Sequence, residues 1–387
     1  MAIYQQIAAL RGEMTAWRRD LHAHPETAFE EHRTAQFVAD KLQSFGIEVV
    51  RGLAGTGVVG VLEGRRGGAR SVGLRADMDA LDIHEQTNRA YASKTPGKMH
   101  ACGHDGHTTM LLGAAKYLAE TRDFAGTAYF IFQPAEENEG GGRVMVEDGL
   151  FERFRMDAVY GLHNWPGMPV GQIGVREGPM MAAYDVFEIT VTGHGAHGAM
   201  PHQGIDPVLV SAHIVTGLQS IASRNVDPLA SIVVSVTQIH GGDAWNVIPE
   251  QVVLRGTVRS FDPKVQELAE INLGRIAEGV AAAHGAEVAI RYERRYPATV
   301  NSQAETRHAA RIAAQVVDSG NVLNEVTPCM GSEDFAFMLQ NRPGSYVWLG
   351  AGEDHPNLHS PHYDFNDEIL PIGASYWAKL VEETLKA

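Results

Sequence analysis

The chain has 387 residues, of which 44% are hydrophobic and 20% charged. This composition is typical of a folded globular protein, and the length exceeds what one hydrophobic core usually supports, so two domains are expected. The net charge of −15 argues against a nucleic-acid partner. No apolar run approaches the roughly 18 residues of a membrane span. With only two cysteines, Cys102 and Cys329, a disulfide framework is excluded and a reducing cytoplasm is favoured.

The first part of the chain alternates helical and strand-like patterns. The run GTAYFIFQP is continuously apolar and ends at Pro134, as expected of a strand buried on both faces. Strands that alternate with helices predict an α/β fold with a mostly parallel sheet. The predicted helices cover 3–22, 30–45 and 108–121, and the predicted strands cover 57–64, 71–81, 126–134 and 157–162.

Between about residues 184 and 297 the pattern changes to strands of alternating polarity. Two helices, 207–223 and 264–284, interrupt these strands in the order βαββαβ, which predicts a ferredoxin-like α+β domain. The α/β pattern then resumes. We therefore expect a metal-binding catalytic domain formed by 1–183 and 298–387, with a satellite domain at 184–297 inserted into it.

A set of potential metal ligands is distributed along the chain. Thiolate, imidazole and carboxylate together are the ligands of hydrolytic zinc-type or manganese-type sites. Glu136, a second carboxylate next to one of these ligands, is what such a site needs to activate water. The candidate ligands are Cys102, His104, Glu137, His163 and His359.

The predicted elements place these candidates together. Glu136 and Glu137 follow the strand 126–134, and His163 follows the strand 157–162. Binding sites in open α/β sheets form outside the carboxyl ends of the strands. The sequence therefore predicts one metal centre at that edge of the sheet.

Other residues near the Cys-x-His pair are alternative ligands. Asp105 and His107 could bind a metal, but the alternating spacing of Cys102 and His104 points those two side chains to one side of an extended loop. Asp79 could bind a metal or orient a residue that does, and we favour the orienting role.

The motifs that carry these residues identify a family. The chain resembles the amidohydrolase branch of the aminoacylase/carboxypeptidase metallopeptidases, with its hippurate hydrolases, auxin-conjugate amidohydrolases and N-acetyl-diaminopimelate deacetylases. The matching segments run almost from end to end. They include RRDLHAHPETAFEE, LRADMDAL, MHACGHDGHTTMLLGAA, FQPAEENEGGG, GLHNWP, GHGAHGAMPHQGIDPV, GGDAWNVIPE, MGSEDFAFM and LHSPHYDFND.

The resemblance implies a zinc-exopeptidase-like catalytic domain with two divalent metal ions, Zn, Mn, Co or Ni, bound by the five candidates. It implies that Glu136 is the general base and that His197 stabilises an oxyanion in a neighbouring active site. Asn246 and Arg259 would bind the substrate, with Arg259 suited to a carboxylate. The inserted domain would cover the site and form a homodimer or homotetramer. One departure concerns Asp77, because the wider family has a His-x-Asp element where this chain reads Asp77-Met78-Asp79.

These expectations define a reaction. The enzyme would hydrolyse the amide bond of small N-acyl amino acids, N-acetyl or hippurate-like, with water activated by metal and Glu136. A dipeptidase or carboxypeptidase acting on small peptides is the alternative within the class. Two further alternatives are a thiol hydrolase with Cys102 as nucleophile and a silent binding protein.

Overall fold

The computed structural model describes residues 1–386, and they form two compact units. The first unit contains Met1–Met180, Val300–Thr327 and the chain from Asp334 onwards; the second contains Met181–Thr299 and Pro328–Glu333. In the first unit the elements up to residue 181 are α1 Gln5–Ala9, α2 Arg11–Ala23, α3 His32–Ser44, β1 Glu48–Leu53, β2 Gly57–Glu63, β3 Ser71–Asp77, α4 His104–Thr121, β4 Thr127–Gln133, α5 Gly141–Glu147, α6 Leu150–Arg153, β5 Ala158–Pro166, β6 Ile173–Val175 and β7 Gly178–Met181.

The remaining elements follow in chain order. The second unit contains β8 Ala183–Thr192, β9 Ala196–His197, α7 Pro207–Ser220, β10 Ile232–His240, β11 Val247–Ile248, β12 Gln251–Ser260, α8 Pro263–His284 and β13 Glu287–Tyr296. After β14 Thr299–Asn301 the first unit resumes with α9 Gln303–Val317, β15 Val322–Asn324, α10 Ala336–Asn341, β16 Gly344–Gly352 and α11 Leu370–Thr384.

The first unit is built on an eight-stranded sheet in the order β1-β2-β4-β3-β5-β16-β6-β15. Its centre is parallel: β3 pairs with β4 and β5, and β5 pairs with β16. Every residue of β3 is buried, because both faces of the sheet are covered. Helix α4 is buried almost throughout for the same reason.

The second unit has a four-stranded antiparallel sheet in the order β10-β12-β8-β13. Alternate residues of β8, such as Phe187, Ile189 and Val191, form one core with Ile214 of α7 and Leu273 of α8. With both helices in the βαββαβ connection, this is the ferredoxin-like arrangement. Together the two sheets confirm the predicted fold class.

Among the element boundaries that differ from the sequence prediction, two concern candidate ligands. Strand β5 extends to Pro166, because it continues to pair with β16, so His163 lies within a strand and not after one. Helix α4 begins at His104 and not at residue 108, because the left-handed Gly103 (φ 96°) starts it earlier. Both shifts move a candidate ligand from a loop to a regular element.

Candidate metal centre

The candidate ligands of the first unit gather at the carboxyl ends of β3, β4 and β5. Asp77 is the last residue of β3 and pairs in register with Gln133, the last residue of β4. Glu136 and Glu137 follow a few residues later, and His163 lies near the end of β5. The sheet edge therefore brings together residues that are far apart in the sequence.

A tight turn at the start of α4 presents Cys102 and His104. Gly103 between them has a φ of 96°, which L side chains rarely adopt. A Cβ at this position would lie 2.6 Å from the side chains of Asn164 and Tyr363. The glycine thus allows the turn to pack closely, and it leaves the Cys102 sulfur 3.3 Å from Nε2 of His163.

Hydrogen bonds fix which nitrogen of each buried imidazole faces the site. Nδ1 of His163 lies 2.6 Å from the Asn164 carbonyl oxygen and must donate to it, so Nε2 carries the lone pair. Nδ1 of His104 donates to the carbonyl oxygen of Asp79 at 2.9 Å and also lies 3.1 Å from its carboxylate. Such bonds are typical of metal-binding histidines.

The buried Nε2 of His104 has no hydrogen-bond partner within residues 1–386. A buried polar atom without a partner reduces stability. An unpartnered nitrogen at this position is consistent with a metal ion that the imidazole would bind. Burial lowers the pKa of His104, but Asp77 and Asp79 outweigh this effect and raise it to about 10. The pocket therefore attracts positive charge.

The other two candidates approach from separate loops. Nε2 of His359 lies 3.1 Å from a carboxylate oxygen of Glu137, which raises the pKa of the imidazole. The backbone N–H of His359 donates to the carbonyl oxygen of Ala101, and that of Glu137 donates to the Asp79 carboxylate. Asp79 therefore contacts two candidate ligands, His104 and Glu137, as expected of a residue that orients them.

These donor atoms form overlapping groups. Within each group all of the donor atoms lie within 4.8 Å of one another. Burial and the nearby carboxylates of Glu137 and Glu136 raise the pKa of the Cys102 thiol well above its usual value, which is the response of a thiol in a pocket of excess negative charge. A divalent cation would offset that charge. The groups are Cys102, His104 and His163; Cys102, Glu137 and His359; and His104, Glu136 and Glu137.

His107 also lies here, but both of its nitrogens are engaged. Nε2 accepts a hydrogen bond from the backbone N–H of Asn164 at 3.0 Å, so Nδ1 carries the proton and donates to Asp77 at 2.6 Å. No lone pair remains for a cation. Asp105 points elsewhere, with its carboxylate 2.9 Å from Nδ1 of His22.

A buried network behind Asp77 was not predicted from the sequence. The Arg75 guanidinium donates to Asp77 at 2.6 Å, to Gln133 at 2.8 Å and to Asp334 at 3.0 Å. The signal in the sequence is an arginine between the apolar residues Leu74 and Ala76 of a buried strand. A buried charge requires partners. Asp77 is thus held by His107 and Arg75 in this arrangement.

An open cavity of about 640 Å³ lies beside the centre in the first unit. It is lined by residues of the loop 27–30, by Ala80 and Leu81, and by Glu137. This volume lies within the range of small-molecule binding sites.

The second unit contains the three other residues singled out in the sequence. His197 is exposed on β9, which pairs with β11 so that His197 is opposite Val247. Asn246 lies next to this pair, and its carbonyl oxygen accepts from Gly198. Arg259 is half-buried on β12, where its guanidinium stacks on Tyr184 at 4.0 Å from the ring centroid.

Donors of this kind at the edge of an α/β sheet, with a second carboxylate beside them, define a metal-dependent hydrolase. The chain belongs to the peptidase family M20/M25/M40, whose sequence profile matches residues 73–383. Within the part of the chain that the structure describes, no helix has the length and apolar character needed to cross a membrane.

Several known proteins match this chain over nearly its whole length. A hippurate hydrolase of Campylobacter jejuni is 42% identical over 100% of both chains. An N-acetylcysteine deacetylase of Bacillus subtilis is 40% identical over 95% of this chain and 97% of its own. A crystal structure of a dinuclear metal-binding peptidase of the M20 family from Bacillus subtilis superposes with a TM-score of 0.85, at 36% identity, covering 98% of this chain and 99% of the other.

Proposed function

We propose that this protein hydrolyses the amide bond of N-acyl amino acids, releasing a carboxylic acid and a free amino acid. The single observation that carries the proposal is the buried carboxylate of Glu136, placed one residue before Glu137 among the thiol and imidazole donors. The relatives named as a hippurate hydrolase and an N-acetylcysteine deacetylase support this substrate class.

The donor set fits two divalent cations, Zn, Mn, Co or Ni. The five residues that would hold them are Cys102, His104, Glu137, His163 and His359. Bound ions would supply positive charge that polarises an amide carbonyl and acidifies water. The solved relative is named as a dinuclear metal-binding peptidase, which supports two ions in each site.

Glu136 would act as the general base and then as the general acid. Its carboxylate would accept a proton from the attacking water and pass it to the nitrogen of the leaving amine. Burial keeps competing bulk water away from this transfer, since the side chain is only 7% exposed.

In the second unit, His197 would donate a hydrogen bond to the oxyanion that develops on the acyl carbon. Its Nδ1 accepts from the backbone N–H of Ala199 at 3.1 Å, so in the neutral ring the proton is on Nε2. Arg259 would bind the substrate carboxylate and Asn246 would orient the amide.

The domain organisation that this function needs is a catalytic domain of 1–183 and 298–387 and a lid and dimerisation domain of 184–297. We propose a homodimer or homotetramer on this basis. The two free cysteines, Cys102 and Cys329, support a reducing cytoplasm as the place of action.

The second candidate is a dipeptidase or carboxypeptidase, which the solved relative supports because it is named as a peptidase. Both reactions would use the same water and the same Glu136. Comparing kcat/KM for N-acetyl, N-benzoyl and dipeptide substrates distinguishes them, because the N-acyl amino acids would lead if deacylation is the main activity.

Glu136→Gln tests the proposal directly. The amide cannot accept the proton of water, so we expect kcat on an N-acyl amino acid to fall by about 10²–10⁴-fold while elemental analysis finds the metal content unchanged. Glu152→Gln, which changes an exposed carboxylate, is the control and should be as active as the wild type.

Near-normal kcat in Glu136→Gln would show that the base is wrongly assigned. Full activity of the wild type after exhaustive chelation would instead support Cys102 as a nucleophile.

A further inference from the structure

Two residues beside the metal centre hold a backbone conformation that is unfavourable for side chains. Ala135, immediately before Glu136, has a φ of 53°, and Phe29, which lines the adjacent cavity, has a φ of 62°. For residues other than glycine this left-handed region is unfavourable. Such a conformation persists only where neighbouring groups determine it.

One buried carboxylate holds both residues. An oxygen of Glu31 accepts from the backbone N–H of Ala135 at 2.9 Å and from that of Phe29 at 3.0 Å. The second oxygen accepts from the hydroxyl of Thr56 at 2.6 Å. Glu31 is 0% exposed, so water does not compete for these bonds.

The backbone on either side of Glu136 is thereby fixed by carboxylates. Glu31 binds the N–H of Ala135, and Asp79 binds the N–H of Glu137 at 2.9 Å. The carbonyl oxygen of Ala135 accepts from Gly141 at 2.8 Å, which closes the loop. Glu136 is the residue between the two anchored amides.

We propose that Glu31 is a positioning residue that holds the left-handed turn at Ala135 and so directs Glu136 toward the reacting water. The inference rests on the proposed role of Glu136 as the general base. Glu31 itself contacts no candidate ligand and takes no proton from the substrate.

The positioning of the turn by Glu31 depends more on the ability of this side chain to accept hydrogen bonds than on its charge. Burial raises the pKa of Glu31 to about 7, although its hydrogen bonds oppose this effect, so a neutral form is readily accessible. A neutral carboxyl or an amide still offers one oxygen to Ala135 and Phe29, and its other atom can donate to the Thr56 hydroxyl. Glutamine should therefore replace glutamate here, and alanine should not.

The experiment compares Glu31→Ala and Glu31→Gln in the metal-loaded enzyme. We expect Glu31→Ala to lower kcat by about 10–100-fold, the usual loss when an orienting partner is removed, with KM and metal content close to wild type. Glu31→Gln should keep most of kcat. Hydrogen exchange of the peptide covering 133–138 should accelerate in Glu31→Ala only.

Glu26→Ala is the matched control. This neighbouring carboxylate accepts from the backbone N–H groups of Arg33 and Thr34 at the start of α3 but does not bind the loop of Glu136. The Glu26→Ala variant should have a lower melting temperature than the wild type and an unchanged kcat. An equal loss of kcat in Glu26→Ala, or wild-type kcat in Glu31→Ala, would overturn the positioning role.

Glu136→Gln, measured in parallel, separates this inference from the proposed function. If that variant stays active, the base is wrongly assigned. The exchange rate at 133–138 then still tests whether Glu31 holds the turn, because it does not depend on turnover; unchanged exchange in Glu31→Ala would overturn the inference.

Discussion

His104 and His107 lie one turn apart at the start of α4, yet their surroundings give them different chemistry. His104 uses Nδ1 to contact Asp79 and keeps Nε2 toward the other donors, whereas both nitrogens of His107 are engaged by Asp77 and the backbone of Asn164. The chemical role of a histidine is thus set by what contacts its second nitrogen.

Cys102 is the donor whose removal gives the clearest result. We predict that Cys102→Ala reduces bound metal and abolishes turnover, because an alanine offers no ligand atom. Elemental analysis after desalting measures the loss. Cys329→Ala is the matched control. Within residues 1–386 this half-buried sulfur has one hydrogen bond, which it accepts from the backbone N–H of Gly331. Full metal content in Cys102→Ala would contradict the assignment.

The buried His22 predicts a pH dependence of stability. Burial lowers its pKa, but hydrogen bonds with Asp105 and Glu85 outweigh burial and raise the pKa to about 9. Because the folded pKa lies above the unfolded value of about 6.5, the stabilisation is complete below pH 6.5 and is lost as the pH rises through 9.

His22→Gln measures this contribution. The gap in melting temperature between wild type and variant should be largest near pH 6 and should narrow by pH 10, reflecting a linked contribution on the order of 3 kcal/mol. Calorimetry at fixed metal concentration records it. A gap that is constant across this range would mean that His22 is neutral in the folded protein.

Residue types along the chain predict candidate donors that the fold does bring together, but they do not predict every hydrogen-bond partner. Cys102 and His104 could be selected by spacing, and Glu137 by its position after a strand. Glu31 could not be predicted, because its role depends on the backbone amide of Ala135, which is 104 residues away in the sequence and comes near only in the folded chain. Backbone hydrogen bonding of this kind leaves no pattern in the sequence.

At the scale of elements, the turn before α4 determines how the thiol and imidazole are presented. We predict that Gly103→Ala weakens metal binding, because a Cβ there meets Asn164 and Tyr363 at 2.6 Å and the φ of 96° is strained for alanine. Metal affinity by competition with a chelator provides the measurement.

Gly97→Ala provides the control for backbone strain alone. Gly97 also has a positive φ, 82°, but a Cβ there meets nothing within 4 Å. The Gly97→Ala variant should lose about 1 kcal/mol of folding stability and bind metal with unchanged affinity. If both variants bind metal as the wild type does, the turn tolerates a side chain and does not control the centre.

Element order was the most predictable level of this structure. The apolar run of β4 and the alternating run of β8 determine their sheets, since one strand is buried on both faces and the other on one. The ends of α4 and β5 were misplaced, because they are set by a glycine turn and by pairing with β16, which is distant in sequence.

At the scale of the whole molecule, the chain is an α/β unit with an α+β unit inserted into it, and the candidate donors all belong to the first. His197, Asn246 and Arg259 belong to the second. A reaction that uses both sets requires the second unit of the same or of another subunit to reach the metal centre.

Mixing two inactive variants tests which subunit provides His197. Glu136→Gln lacks the proposed base and His197→Ala lacks the proposed oxyanion donor, so each homodimer should be inactive. If His197 acts in the neighbouring subunit, a mixed dimer has one complete site, formed by Glu136 of one chain and His197 of the other. Random exchange of equal amounts should then restore about one quarter of the wild-type activity, because about half of the dimers are mixed and each has one working site of two.

Light scattering before and after mixing measures whether the protein is an oligomer and whether its subunits exchange. Complementation by co-expression avoids slow exchange, with each variant carrying a different affinity tag so that the mixed dimer can be isolated. A mixed dimer that remains inactive would place His197 in its own subunit's site, because neither site would then contain both groups. A monomer in solution would exclude the shared site altogether.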